Sequence, residues 1–383
     1  MTAAKRALLA PLFCATALGG GAAQAADFKA GDWDLSVGGI INAYYTSTSC
    51  GGSQAVTGLA LASQSLGCGS ASGRTVVGNG LLPNALITSV KGKQDGVDIG
   101  ATLMIGAAVS SSDSISNNNN VDVRQGFFTI GTAAAGTLKI GRDYGLFGAS
   151  AILSDMTLLG AGAPVNGTQA NRVTLGHIGA GYSYLGHYGQ LAYSMPAAGA
   201  FGFTAAVMSP VNAFATAAYT AGRQPQIQLK ATLDLGAGKA WVAMKSQPFK
   251  GTAPAADFTM KGVEIGGSYA VGGLSLLGNF QSGNGLGVLA DGDNGDQKQT
   301  AYLLQATYAV APKLKMGLSY GSTRLKDSVG SALKSNTNTT AGAYYALTKS
   351  VTLVAEISRT DSKSAAGAKA DMNGVALGGI LFF

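Results

Sequence analysis

The side chains with most chemistry to offer in this 383-residue sequence are two histidines, three cysteines and one acidic cluster. A Ser–His relay needs an imidazole base, which only His177 and His187 can supply. Serines are abundant, but no G-x-S-x-G nucleophile elbow is read from the sequence, and no phosphate-cradling G-x-x-x-x-G-K-[ST] loop exists. The sequence therefore reads as non-enzymatic, with no cofactor implied. Cys50 and Cys68 form an even pair in a Gly/Ser-rich stretch, which in an oxidising compartment argues for one disulfide closing a loop. A metal site lacks a second cysteine pair. Asp291-Gly292-Asp293-Asn294-Gly295-Asp296 offers oxygen ligands for Ca²⁺. However, Gly295 stands where a ligand belongs and no Glu closes the run, so it reads as a solvated loop. The lysines are scattered, and no helix gathers them into a face for nucleic acid.

The elements that must position these residues are strands. Apolar residues alternate at Trp33, Leu35, Val37, Ile41, Ala43 and Tyr45, and again at Ile227, Leu229, Ala231, Leu233 and Leu235. Similar patterns recur over 97–105, 274–280, 302–308, 314–320, 341–347 and 351–357. Period-2 alternation makes a strand with one apolar and one polar face.

Composition says which face meets what. Glycine contributes 57 residues, while charged residues are only 12% against a usual ~25%. A soluble protein this poor in charge cannot dress its surface. The first 25 residues read as a cleaved secretory signal: Lys5 and Arg6, an apolar stretch over 7–18, then Ala23-Gln24-Ala25. Phe13 before Cys14 argues against a lipid-anchoring cysteine. Residues 26–383 then form one barrel domain, with 24 basic against 19 acidic side chains and a net charge of +5.

Connectors alternate in length. Seven are short: 93–96, 133–136, 196–200, 236–238, 272–273, 311–312 and 348–350. Eight are long and polar: 46–80, 112–120, 143–176, 211–224, 249–257, 283–298, 326–338 and 361–371. They join 16 strands at roughly 22 residues per strand plus connector, which suits ~10-residue tilted membrane strands. Trp33, Tyr45, Tyr302, Tyr308 and Tyr320 fall near strand ends on the apolar parity, as an interfacial girdle requires. The fold class is all-β, a 16-stranded antiparallel transmembrane barrel with short periplasmic turns and long extracellular loops. Closure removes the unpaired edges that lipid forbids.

The last strand, Gly374-Val375-Ala376-Leu377-Gly378-Gly379-Ile380-Leu381-Phe382-Phe383, resembles the outer-membrane barrel ending read by the barrel assembly machinery. Gly136-Thr137-Leu138-Lys139-Ile140-Gly141-Arg142-Asp143-Tyr144-Gly145-Leu146-Phe147 resembles the fifth strand and loop-3 entrance of Gram-negative general porins. Residues 151–160 are similar to their constriction loop, and 79–84 to the lead into their second strand. The resemblance spans the mature chain. It implies a trimeric outer-membrane pore for ions and small hydrophilic solutes, in contact with outer-membrane lipid and lipopolysaccharide, with loop 3 folded inward over about 143–176. Residues 150–160 independently carry apolar spacing suited to a short helix.

In such a pore, loop acids face a basic wall. Asp155 and Asp143 are the acidic candidates of the loop and its entrance. Lumen parity points to Lys139, Lys230, Lys245 and Lys315, with Asp234 and Glu356 as acidic counterparts, and Arg124 and Arg142 lie on strands four and five. Arg142 shares parity with Leu138 and Ile140, so it reaches the lumen only if the strand ends or bulges there. Mild anion preference is expected. Inward parity yields Tyr44 and Tyr344 but no continuous aromatic track, which favours general diffusion over a substrate-specific channel. A non-conducting structural or adhesive barrel is the remaining alternative.

Overall fold

A computed structural model describes residues 25–53, 72–107, 121–164, 174–214 and 216–383, and strands dominate it. Sixteen of them make the wall. The first eight are β1 Trp33–Gly52, β2 Asn84–Gln94, β3 Val97–Ala107, β4 Asp122–Thr132, β5 Gly136–Tyr144, β6 His187–Ser194, β7 Phe201–Met208 and β8 Gln226–Asp234. The rest are β9 Gly238–Gly251, β10 Phe258–Val271, β11 Leu274–Asn284, β12 Lys298–Ala311, β13 Leu314–Leu325, β14 Leu333–Ala346, β15 Val351–Ser364 and β16 Lys369–Phe382. Each pairs antiparallel with the next, and β16 pairs back onto β1 from Ala370↔Gly52 to Phe382↔Ile40, closing the ring. Three shorter strands extend it. Ala26–Ala30 pairs with the start of β1, Gly73–Gly78 with its upper half, and Tyr219–Ala221 with the end of β9.

The alternation becomes two unlike faces. Ile265 and Leu318 point outward and are 58% and 57% exposed, whereas Gln281 and Thr340 point inward and are fully buried. Apolar side chains outside and amides and hydroxyls inside are the inverse of a soluble sandwich. Tyr45, Tyr308 and Tyr320 stand exposed on the outward face, and the Tyr302 and Tyr320 rings lie 6.0 Å apart near the long-connector end. The short turns fall where the sequence places them. At Asp95-Gly96 both residues have positive φ (48° and 80°), the backbone of a type I′ hairpin.

The long connectors are shorter than the sequence suggests. β1 runs on to Gly52, β14 begins at Leu333, and β15 and β16 continue to a four-residue turn at 365–368. The residues beyond the apolar stretches, such as Ser358, Thr360 and Ser362, alternate with no apolar face and so read as loop. They still form ladder hydrogen bonds with β14 and β16. Residues 112–120 and Cys68 lie outside the described residues, as does most of the proposed signal.

The largest buried cluster sits within the ring. Ile152, Met156, Leu158, Leu159, Ile178 and Tyr182, from the connector between β5 and β6, pack against Ile40, Tyr44, Leu277 and Leu303 of the wall.

Candidate pore constriction

The connector from β5 to β6 enters the lumen as helix α1, Ala149–Ser154, followed by a 3-10 turn, Met156–Leu159. Its backbone polar groups need partners there, because a loop crossing a barrel has no ladder of its own. The wall supplies them one strand after another. Gln228 Oε1 on β8 accepts from the Leu146 and Phe147 amides at 2.7 and 2.9 Å. Glu264 on β10 accepts from Gly148 N–H at 2.6 Å. Gln305 on β12 accepts from Met156 N–H and donates to the Ser154 carbonyl. Glu356 on β15 accepts from Ala161 and Gly162 N–H, both at 2.7 Å, and from Tyr344 OH at 2.5 Å. Tyr44 on β1 donates to the Leu159 carbonyl. The returning limb is held by Thr323, Asn336 and Gln281.

Asp155 and His177 lie at the centre of this loop, both fully out of solvent. Asp155 accepts from Thr157 N–H and Oγ1–H, from Tyr182 OH at 2.7 Å, and faces His177 Nδ1 at 3.0 Å. Burial raises the Asp155 carboxyl, but His177 and these donors outweigh it and hold the group below the usual range. Burial, reinforced by Asp155, pushes the Tyr182 phenol well up. On its other side His177 Nε2 meets Ser319 Oγ of β13 at 3.2 Å. Gly317-Leu318-Ser319-Tyr320-Gly321 does match G-x-S-x-G spacing, a correction to the sequence reading. It lies inside a strand, however, and not at a strand-to-helix elbow.

The expected site residues separate into three groups. Asp155, Glu356 and Lys245 are buried, so their charges meet protein partners instead of the passage. Lys245 pairs with Asp291, which also accepts from Tyr188 OH and Gln226. A second group faces inward on β4 and β5. Lys139 pairs with Asp143 and stands 5.2 Å above the Phe127 ring, while Gln125 donates to Asp143. Arg124 reaches inward at a register shift and is held by Asp122 at 2.6 Å. Lys230 and Lys315 share the inward parity, half-buried, with no ion pair among the described residues.

Arg142 is the exception. It lies opposite Gly126 and Gly189 on the outward face, exposed, and donates to the Val123 carbonyl, because no bulge at β5 reverses its parity. Cys50 is disulfide-bonded and faces inward opposite Met372. Phe383 pairs with Gly39 at the seam.

One element escaped the sequence. The connector after β11 also folds inward, burying Leu286, Val288 and Leu289, and the Tyr184 amide donates to the Leu289 carbonyl. The apolar run 286–290 inside an otherwise polar loop was the available signal. Its acids diverge instead of converging on an ion. Asp291 turns to Lys245, Asp296 accepts from Asn284, and Asp293 accepts from the amides of Val288, Leu289 and Ala290. Burial pushes the Asp293 carboxyl up to about 7 against the pull of those amides. Among the described residues no three His, Cys, Asp or Glu side chains converge for a metal.

The sequence profile of a family described as Gram-negative porin matches residues 10–365. No curated protein sequence matches the chain. Solved structures do. The outer membrane channel DcaP of Acinetobacter baumannii is 15% identical, with a TM-score of 0.69, over 94% of this chain and all of that one. OmpF of Salmonella typhi, solved with daunomycin, is 13% identical with a TM-score of 0.62 over 94% of this chain and all of its own. A trimer form of in-vitro-folded OmpT of Vibrio cholerae is 12% identical, with a TM-score of 0.54 over 92% and 99%.

Proposed function

The chain belongs to the Gram-negative porin family and forms an outer-membrane channel, and from that premise we propose a trimeric, water-filled pore for small hydrophilic solutes with mild anion preference. One observation carries the selectivity. Asp122, Asp143, Asp155, Glu264, Asp291, Asp293 and Glu356, interior acids of the constriction and its inserted loops, are all engaged by cations, amides or hydroxyls. Lys315 stands half-buried on the lumen parity with no ion pair among the described residues, and Lys230 shares that parity with Glu264 as its nearest electrostatic counterpart. Fixed charge in a narrow aqueous passage biases ions by sign, so the balance favours anions. Planar-bilayer recording tests it. Conductance steps in groups of three support the trimeric pore, and a KCl-gradient reversal potential of cationic sign overturns the preference.

A substrate-specific channel is the second reading, favoured by the two inward connectors, which leave less room than one would. Solute dependence in the same bilayer separates the two, since a specific channel is blocked by its solute at concentrations that leave general diffusion unaffected. Catalysis is set aside on access. Asp155, His177 and Ser319 align in the manner of a charge relay, but Ser319 is only 1% exposed and cannot meet a substrate. The relay is read as an anchor fastening loop 3 to β13. Covalent labelling of the folded protein by a fluorophosphonate would overturn that reading.

A further inference from the structure

We propose that the connector after β11 is a tethered plug whose Asp291 occupies a carboxylate-binding site on the inner wall, and that a carboxylate solute taking this site releases it. Three donors from three strands make the site. Lys245 of β9 pairs with Asp291 Oδ1, while Tyr188 OH of β6 and Gln226 Nε2 of β8 donate to Oδ2 at 2.8 and 3.0 Å. None of the three residues is more than 4% exposed. Groups other than Asp291 hold them in place. Gln228 donates to Gln226 Oε1 and Gln247 Oε1 accepts from Gln226 Nε2, which fixes the donor edge of the amide. The Lys245 ammonium lies 4.8 Å above the Phe147 ring. One cation and two neutral donors spread over two oxygens fit a planar carboxylate and leave a spherical halide short of partners.

The occupant belongs to a unit closed on itself. Gly285 N–H donates to the Gln297 carbonyl at 3.0 Å and Gly292 N–H to the Gly285 carbonyl at 2.9 Å, drawing in the neck. Asp293 caps the amides of Val288, Leu289 and Ala290. Outside the unit, Ser183 Oγ and the Tyr184 and Phe214 amides donate to the carbonyls of Gly287, Leu289 and Asp291. Asp291 is its single ion pair to the wall among the described residues. The connector is therefore built to move as one piece, with one charged fastening. Withdrawing Asp291 alone strands a buried ammonium, which is strongly unfavourable, whereas a second carboxylate in the same place removes that obstacle. A tethered group competes at an effective concentration of roughly millimolar or more, so the free solute must be abundant to displace it. The inference rests on the reading of the lumen as a solute passage, and it names carboxylates as the solutes that widen it.

Thiol labelling tests it. Val288 rests on Leu325 and Leu333, fully out of solvent, so a cysteine placed there reacts with a water-soluble maleimide only when the plug lifts. Cys50 is disulfide-bonded and does not compete for the reagent. Folded, heat-modifiable Val288→Cys protein is labelled in sodium chloride or sodium acetate of equal ionic strength, with and without Lys245→Met. Leu158→Cys, buried in loop 3, is the control. We expect acetate to speed labelling of Val288→Cys at least threefold. Lys245→Met should speed it at least tenfold in chloride and abolish the acetate response, while Leu158→Cys stays slow throughout. Should Lys245→Met not fold, Asp291→Asn, which leaves the lysine in place, is expected to speed labelling in chloride by the same factor. Labelling indifferent to acetate, an acetate response that survives Lys245→Met, or equal acceleration of Leu158→Cys overturns the proposal. Labelling needs no ion flow. Acetate-responsive labelling without conductance steps therefore overturns the open pore and leaves the displaceable plug standing, and conductance steps with acetate-blind labelling do the reverse.

Discussion

Gly39 and Phe383 exchange two backbone hydrogen bonds, Gly39 N–H to the Phe383 carbonyl at 2.7 Å and the reverse at 3.1 Å. They join the last residue to the first wall strand. A Cβ on Gly39 would lie 2.5 Å from Phe383 Cζ and 2.6 Å from the Ala85 carbonyl oxygen, so the glycine is a steric requirement of closure. Gly39→Ala should lower the folded fraction, by about 1–3 kcal/mol if the strain is met locally. The heat-dependent gel shift of the refolded barrel measures this, and a wild-type folded fraction would refute it.

Removing the Glu356 carboxylate leaves the Ala161 and Gly162 amides and the Tyr344 hydroxyl without their acceptor. Each stranded donor costs about 1–3 kcal/mol. Glu356→Ala should therefore free the tip of loop 3 while the wall stays closed. Single-channel recordings are expected to show larger and noisier conductance with the gel shift retained; a quiet, unchanged channel contradicts the assignment.

Lys230 and Lys315 are the cations on which the anion preference rests. Reversing both, Lys230→Glu/Lys315→Glu, should move the reversal potential in a KCl gradient toward cation selectivity. Arg142→Glu, on the outward face, should leave it in place. Equal shifts in the two variants would mean that the lumen parity is misassigned.

Asp293 supplies a pH dependence. Its folded carboxyl is raised from the ordinary 3.8 to about 7, so the folded protein holds the proton more tightly than the unfolded chain. Its stabilisation is complete below the unfolded value and is lost as pH rises through about 7. The melting temperature should fall between pH 5 and pH 8, and Asp293→Asn should flatten that fall. A variant with the same slope as wild type would rule Asp293 out as its source.

Much of the wall was legible because lipid enforces a strict alternation: Leu353, Ala355 and Ile357 could not be apolar at period 2 by accident over so many strands. The extracellular ends were not. Beyond Ile357 the outward residues become Arg359, Asp361 and Lys363, so polarity no longer distinguishes a strand from a loop although the ladder continues. Arg142 was expected at the constriction on the condition that β5 bulged or ended there; the register runs on unbroken and the side chain stays outward, and parity could not say which lumen charges stay accessible. Asp155 is hidden by His177, 22 residues on, and Lys245 by Asp291, 46 residues on. No local period carries partnerships of that range. They exist only once two connectors have folded inward.

Loop 3 is held chiefly by neutral groups: the amides of Gln228, Gln281, Gln305 and Asn336 and the hydroxyls of Tyr44 and Thr323. Hydrogen bonds of this kind are indifferent to the Debye length, which shrinks from about 30 Å in dilute buffer to about 3 Å at molar salt. A cell moving between fresh water and brine would therefore keep an aperture of constant bore, while the ionic atmosphere inside it rises and falls with the medium.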